Sequence, residues 1–329
     1  IVTPVSVTLA DLTTVGAGLR RPECVICTRG GTLYVVNRGA GVIVIAPDGR
    51  QTEIGAAHAI GGHEFVPNGL ALLKDGTFLI ANMGEGGGVW TLSRDGAYTP
   101  FLMEVDGETL SKANFVFTDD ADRIWVTMTT RSVPMSRAMT GLGKPDQADG
   151  FICVIDQRGA RIVADGLAFA NEARFGPDGG LYVAETFGRR ITRFDVAADG
   201  ALSNRSTFTQ FGHGTFADGI AFDAEGCLWA TSIITNRLIR IDPKGSQTVV
   251  LEDSNPAFTD RFETALADGT VTREMSYQPQ GKVLKNIASI AFGGPDLRTV
   301  YLGSLAGDTL NVFRSPVAGA ALPHWGWAT

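Results

Sequence analysis

The chain has 329 residues with 28 basic and 35 acidic side chains, a net charge of −7, which argues against a nucleic-acid partner because such partners need a basic footprint. No apolar run approaches the roughly 18 residues that span a bilayer, so no membrane span is expected. Forty-one glycines and 14 prolines fit a turn-rich all-β chain and fall below the level that signals disorder.

The first 20 residues lack a charged start and a long apolar block, and the sequence begins at Ile1. A cytoplasmic location is expected, with periplasmic export or secretion after leader removal as the alternative. Residues 5–12 read as an isolated strand without a unit of its own. From there on a repeat takes over. Glu23, Asn68, Asn114, Asn171 and Asp218 each stand ten residues before a bulky pair, namely Leu33-Tyr34, Phe78-Leu79, Ile124-Trp125, Leu181-Tyr182 and Leu228-Trp229. Ser289 stands eleven before Val300-Tyr301. Each oxygen-bearing marker opens a short apolar run, then an Asp-Gly-type turn, then the bulky strand, and a third strand follows, as at Gly41-Val42-Ile43-Val44-Ile45.

Successive markers lie 45, 46, 57, 47 and 71 residues apart, close to the length of a four-stranded blade in three cases. The pattern predicts one all-β domain over 1–329, a six-bladed β-propeller closed by pairing of its two chain ends, with residues 5–12 as the closing strand. A closed ring leaves no free edge for aggregation. No capped 3.6-residue period is evident, so helix should be nearly absent. The two long intervals hold insertions at about 131–150 and 253–285, expected to reach over the channel mouth as lids.

In a propeller, equivalent positions meet at one end of the axis. Six converging oxygens, two of them carboxylic, suit a hard cation and a polar substrate. Glu23, Asn171 and Asp218 are expected to ligate one divalent ion, with Asn114 as a fourth ligand or a substrate contact. All-oxygen ligands favour Ca²⁺, then Mg²⁺ or Mn²⁺, and Zn²⁺ can use such sites. Lys112, Asn68, His63, Met128 and Arg131 are further candidates for substrate contact. Glu64, Asn82, Glu185, His58 and His213 are more distant ones. Phe65, Phe115, Met128, Met135, Met139 and Phe216 are read as apolar groups around the mouth. Cys24 and Cys27 form a C-x-x-C without a βαβ context and read as buried small hydrophobes. There is no Gly-x-Ser-x-Gly elbow, and Gly86-Gly87-Gly88 is not a phosphate loop.

The chain resembles the regucalcin/gluconolactonase family of the senescence marker protein type. The likeness is carried by Arg21-Pro22-Glu23-Cys24, by Asn114 with Asp122-Arg123-Ile124-Trp125, and by Phe169-Ala170-Asn171-Glu172 with Gly176-Pro177-Asp178-Gly179. It continues through Ala217-Asp218-Gly219-Ile220-Ala221 and Ala291-Phe292-Gly293-Gly294-Pro295-Asp296-Leu297. The resemblance implies a six-bladed, metal-dependent lactonase with metal ligands at Glu23, Asn171 and Asp218. It also implies Asp218 as acid/base and Asn114 as a contact to substrate or metal. Family members acting on sugar lactones carry Arg where this chain has Lys112, and some carry Glu just after the Thr127-Met128 step, where this chain continues Thr129-Thr130-Arg131. The expected partner is therefore a small lactone or ester, but not a simple sugar lactone. Alternatives are a non-catalytic metal-binding propeller and a paraoxonase/phosphotriesterase-like hydrolase. A condensing enzyme like strictosidine synthase is disfavoured by the pair Glu23 and Asp218.

Overall fold

The structure is a computed structural model that describes residues 1–56, 59–131, 139, 148–278 and 281–327. Six four-stranded antiparallel sheets succeed one another as blades of a β-propeller. Their innermost strands are Val25–Cys27, Pro67–Leu72, Ala113–Thr118, Ala170–Phe175, Ala217–Phe222 and Ile287–Gly293. The bulky pairs of the repeat fall on the second strands. Tyr34, Phe78, Trp125 and Trp229 are fully enclosed there, filling the wedges between neighbouring blades.

The ring closes through strand Thr13–Val15, which pairs antiparallel with Leu310–Arg314 as the outermost strand of the sixth blade. The closing element is thus not residues 5–12. That stretch turns into a short 3-10 helix, Leu9–Asp11, where the Asp11 carboxylate accepts from the Thr8 backbone N–H at 2.8 Å. Its alternation, Val5 then Val7, serves lateral packing against Val250, Leu251 and Phe313 on the outside of the last two blades. A chain starting at Gly16 should expose the Leu310–Arg314 edge and self-associate. Sedimentation velocity checks this, and a monomer that melts unchanged would contradict it.

Two α-helices fall in the second insertion. Helix α1, Pro256–Asp268, starts at Asn255, whose side chain accepts from the Phe258 N–H, and ends at Gly269 with φ 73°. Phe258, Phe262 and Ala265 face inward. Helix α2, Arg273–Tyr277, starts at Thr272. The expectation of almost no helix therefore holds for the blades and not for this insertion.

What positions the site is a repeated irregularity. In blades two to six, one extra residue is inserted near the start of the innermost strand. Such bulges re-aim side chains. Asn68, Asn114, Asn171 and Asp218 lie in the bulged steps. The glycines after Asn68 and Asp218 follow from close approach between neighbouring innermost strands. A Cβ on Gly69 would lie 2.6 Å from Phe115 Cα, and one on Gly219 2.5 Å from the Ala288 carbonyl oxygen.

Counting back by eleven misplaces the sixth marker. Ile290 pairs with Leu302 as Ile220 pairs with Ala230, so the position equivalent to Asp218 is Ala288 and Ser289 stands in line with Gly219. The turn in the sixth blade is longer than its counterparts, which shifts the count. Five oxygen side chains, not six, occupy equivalent places.

Candidate active site

Glu23, Asn68, Asn114, Asn171 and Asp218 line one cavity at the end of the axis where the innermost strands begin. The opposite ends of these strands, at Cys27, Phe175, Phe222 and Phe292, are covered by the C-terminal segment that includes His324 and Trp325. The cavity is thus approached from the marker side.

Glu23 is placed by a tight turn in which its N–H donates to the Arg21 carbonyl at 2.8 Å. Its Oε2, the Asn171 Oδ1 and the Asp218 Oδ1 are all buried and lack any hydrogen-bond partner. Leaving such atoms unpaired costs on the order of 1–3 kcal/mol each, more for charges, so three together mark a place built for something else. The Asn171 amide is oriented by Nδ2, which donates to Thr186 Oγ1 at 3.0 Å and leaves the carbonyl oxygen for the cavity. Among the described residues no three His, Cys, Asp or Glu side chains meet as an ion site. The set here is two carboxylates with an amide, an all-oxygen combination that fits Ca²⁺ or Mg²⁺ chemistry.

Burial pushes the Asp218 carboxyl well up, and Glu23 and Glu172 add to this while Arg21 opposes it. Burial also raises Glu23, against Arg21. Glu172 rises for the same reason, with Arg174 opposing and Glu23 reinforcing. Its Oε2 accepts from the Ile220 N–H at 3.0 Å. Glu23 and Asp218 repel one another in the cavity they line, and a cation between them relieves the repulsion.

The remaining expected contacts divide. Asn68 Nδ2 donates to the Asn114 carbonyl at 2.8 Å and to its Oδ1 at 3.0 Å, while Asn114 Nδ2 donates to Thr129 Oγ1 at 2.9 Å. The Asn114 side-chain oxygen is thereby engaged by Asn68. Lys112 and the exposed His63 stand in the adjoining groove, beside Glu64, which is paired with Arg38. Arg131 lies away from the cavity, over the Phe151 ring and paired with Asp165 at 2.9 Å. Met128 does not reach the cavity either. It is fully buried with Val126, Phe151 and Cys153 in the layer between blades, since it follows the strand alternation. Phe65 and Phe115 are core residues of the same kind, and Phe216 packs against Phe187 and Phe262. Asn82 and Glu185 are structural: the Asn82 side-chain oxygen accepts from the Val66 N–H, and the Glu185 carboxylate accepts from the Ala168 N–H. His213 is exposed beside Asp260. Met139 lines the cavity, whereas Met135 and His58 lie outside the described residues. Cys24 and Cys27 are free, buried and packed in different apolar clusters.

Four residues with charge or acidity at the site were not singled out by the repeat. Arg21 stands two residues before the marker Glu23 and Glu172 directly follows the marker Asn171, so both are legible from the repeat. Arg273 and Tyr277 come from helix α2, where no periodic signal points to the axis, and with Ser276 they line the cavity. Both insertions therefore contribute to its walls.

The pattern of the SMP-30/gluconolactonase/LRE-like region matches residues 21–259. The chain belongs to this family. A 6-deoxy-6-sulfogluconolactonase from Pseudomonas putida is 26% identical over 163 residues, 48% of this chain and 46% of its own length. The chain thus spans about half the length of that curated relative. A gluconolactonase from Xanthomonas campestris shares the fold at 20% identity and TM-score 0.66, over 94% of this chain and 89% of that one. A calcium-binding protein, regucalcin, from Agrobacterium tumefaciens does so at 18% identity and TM-score 0.67, over 98% and 99%.

Proposed function

We propose that this family member is a lactonase that hydrolyses a cyclic ester with the help of one divalent cation held by Glu23, Asn171 and Asp218. The observation that carries the reading is the trio of buried, unpartnered oxygens on these three side chains. Kinship to proteins named as gluconolactonases supports the lactone class. Ca²⁺ is the favoured ion, with two carboxylates balancing its charge.

What a bound divalent cation supplies at such a site is polarisation of the ester carbonyl and stabilisation of the charge that develops on its oxygen. Asp218 takes a proton from the attacking water and returns it to the departing ring oxygen, so water's oxygen joins the acyl carbon as the ring C–O bond breaks. Asn68, which donates to Asn114, and Asn114, which donates to Thr129, form the polar wall against which the ring is oriented. Met83, Phe169, Phe187, Ile233 and Leu305 form an apolar wall. On that side of the cavity a sugar hydroxyl finds no partner, which supports a substrate other than a simple aldonolactone.

Chelator treatment should reduce hydrolysis of a lactone panel to background, and added Ca²⁺ should restore it, read by a pH-indicator assay. Ion binding without turnover of any lactone or ester would replace this reading with a non-catalytic metal-binding propeller. Glu23→Gln removes one of the two anionic ligands and should weaken the ion by about 10²-fold or more, because affinity follows ligand charge. Isothermal titration calorimetry measures this, and an unchanged Kd would remove Glu23 from the ligand set.

A further inference from the structure

The cation balance of the cavity points to a feature of the substrate. Arg21 is 8% exposed, and its guanidinium reaches the cavity with Nε unpartnered. Its backbone has φ 51°, a left-handed conformation that a non-glycine residue before proline adopts only when its surroundings impose it. Arg21 Nη2 and Arg273 Nη2 both donate to the Tyr277 hydroxyl, at 3.5 and 3.1 Å. Arg21 Nη1 donates to the Pro67 carbonyl at 3.1 Å. Among the described residues neither guanidinium has a carboxylate within ion-pair distance. Lys112 adds a third cation in the adjoining groove, where Glu64 is paired with Arg38 and Glu85 stands beside His63, and Glu274 follows Arg273.

With Glu23 and Asp218 turned to a divalent ion, the guanidinium groups of Arg21 and Arg273 share only the Tyr277 hydroxyl, whose ionised form they favour, and neither has a carboxylate at ion-pair distance among the described residues. Resting on the lactonase reading above, we propose that Arg21 and Arg273, set about Tyr277, form a subsite for an oxyanion on the substrate. The lactone would carry a carboxylate, sulfonate or phosphate group. The planar forks of the two arginines suit the paired oxygens of such groups. The side chain that completes the subsite comes from helix α2, which gives the second insertion a role in selecting substrate.

The test compares lactones that differ only in one substituent: carboxylate, sulfonate or phosphate ester against hydroxyl. Wild-type protein should favour the anionic member in kcat/KM by about 10²-fold or more, a value typical of a buried charge-assisted contact. Arg273→Gln should cut that preference at least tenfold, and Arg273→Lys should retain part of it. A separate calorimetric arm titrates a sugar dicarboxylate and the matching monocarboxylate into the calcium-loaded protein. Tighter dicarboxylate binding that is lost in Arg273→Gln supports the subsite even if no lactone is turned over, and in that case the lactonase reading alone fails. Hydrolysis of neutral lactones with no anionic preference, or equal binding of the two sugar acids, would overturn the subsite.

Discussion

Asp218→Asn should lower kcat for lactone hydrolysis by about 10³-fold, within the 10²–10⁴ range of a lost general base, while ion binding at saturating Ca²⁺ persists. Asparagine keeps the size and one side-chain oxygen, so a ligand role survives in part whereas proton transfer does not. The local frame is independent of the carboxylate: the Gly219 N–H is held by Thr231 Oγ1 at 2.9 Å, and Ile220 N–H by Glu172. Loss of activity with normal circular dichroism and a retained calorimetric signal for the ion would isolate the chemical role. Near-normal kcat in the ion-loaded variant would remove Asp218 as the base.

Asp223→Ala should be the most damaging single change to the fold, destabilising it by about 3–5 kcal/mol, as expected when one partner of a buried charge pair is removed. The Asp223 carboxylate accepts from Trp229 Nε1 at 2.8 Å and Arg240 Nε at 2.8 Å, and from the N–H groups of Glu225 and Cys227. Its side chain is wholly buried and that of Arg240 is 5% exposed. Alanine would strand all of these donors at once. The third blade repeats the motif with Asp119, Trp125 and Arg123. There the Arg123 side chain is 14% exposed, so water can take over part of the lost contact and Asp119→Ala should cost less. Urea midpoints of the two variants measure the order, and equal or reversed losses would contradict it.

The same spacing that exposes the fold also exposes most of the site. A propeller needs nothing polar at the start of each innermost strand, so Glu23, Asn68, Asn114, Asn171 and Asp218 stand out against their repeats, and all five line one cavity. The rule failed where a loop changed length: two more turn residues in the sixth blade moved the equivalent position from Ser289 to Ala288. It failed again for Met128, because residue type says nothing about which side of a strand a side chain takes, and the pairing of Met128 with Ala113 and Phe151 turns it into the layer between blades. The closing strand lies just beyond residues 5–12, because the apolar alternation at Val5 and Val7 is stronger than that of the more exposed Thr13–Val15. Helix α1 carried readable signs, Asn255-Pro256 at its start and Gly269 at its end. Arg273 and Tyr277 were not legible at all, because they reach the axis from an insertion outside the repeat, through tertiary packing alone.

The most direct test is anomalous diffraction from crystals loaded with Ca²⁺ or Mn²⁺. One ion is expected in the axial cavity within about 2.6 Å of oxygens from Glu23, Asn171 and Asp218. An ion bound elsewhere, or lactone hydrolysis that continues undiminished in chelator with this cavity free of metal, would contradict the account.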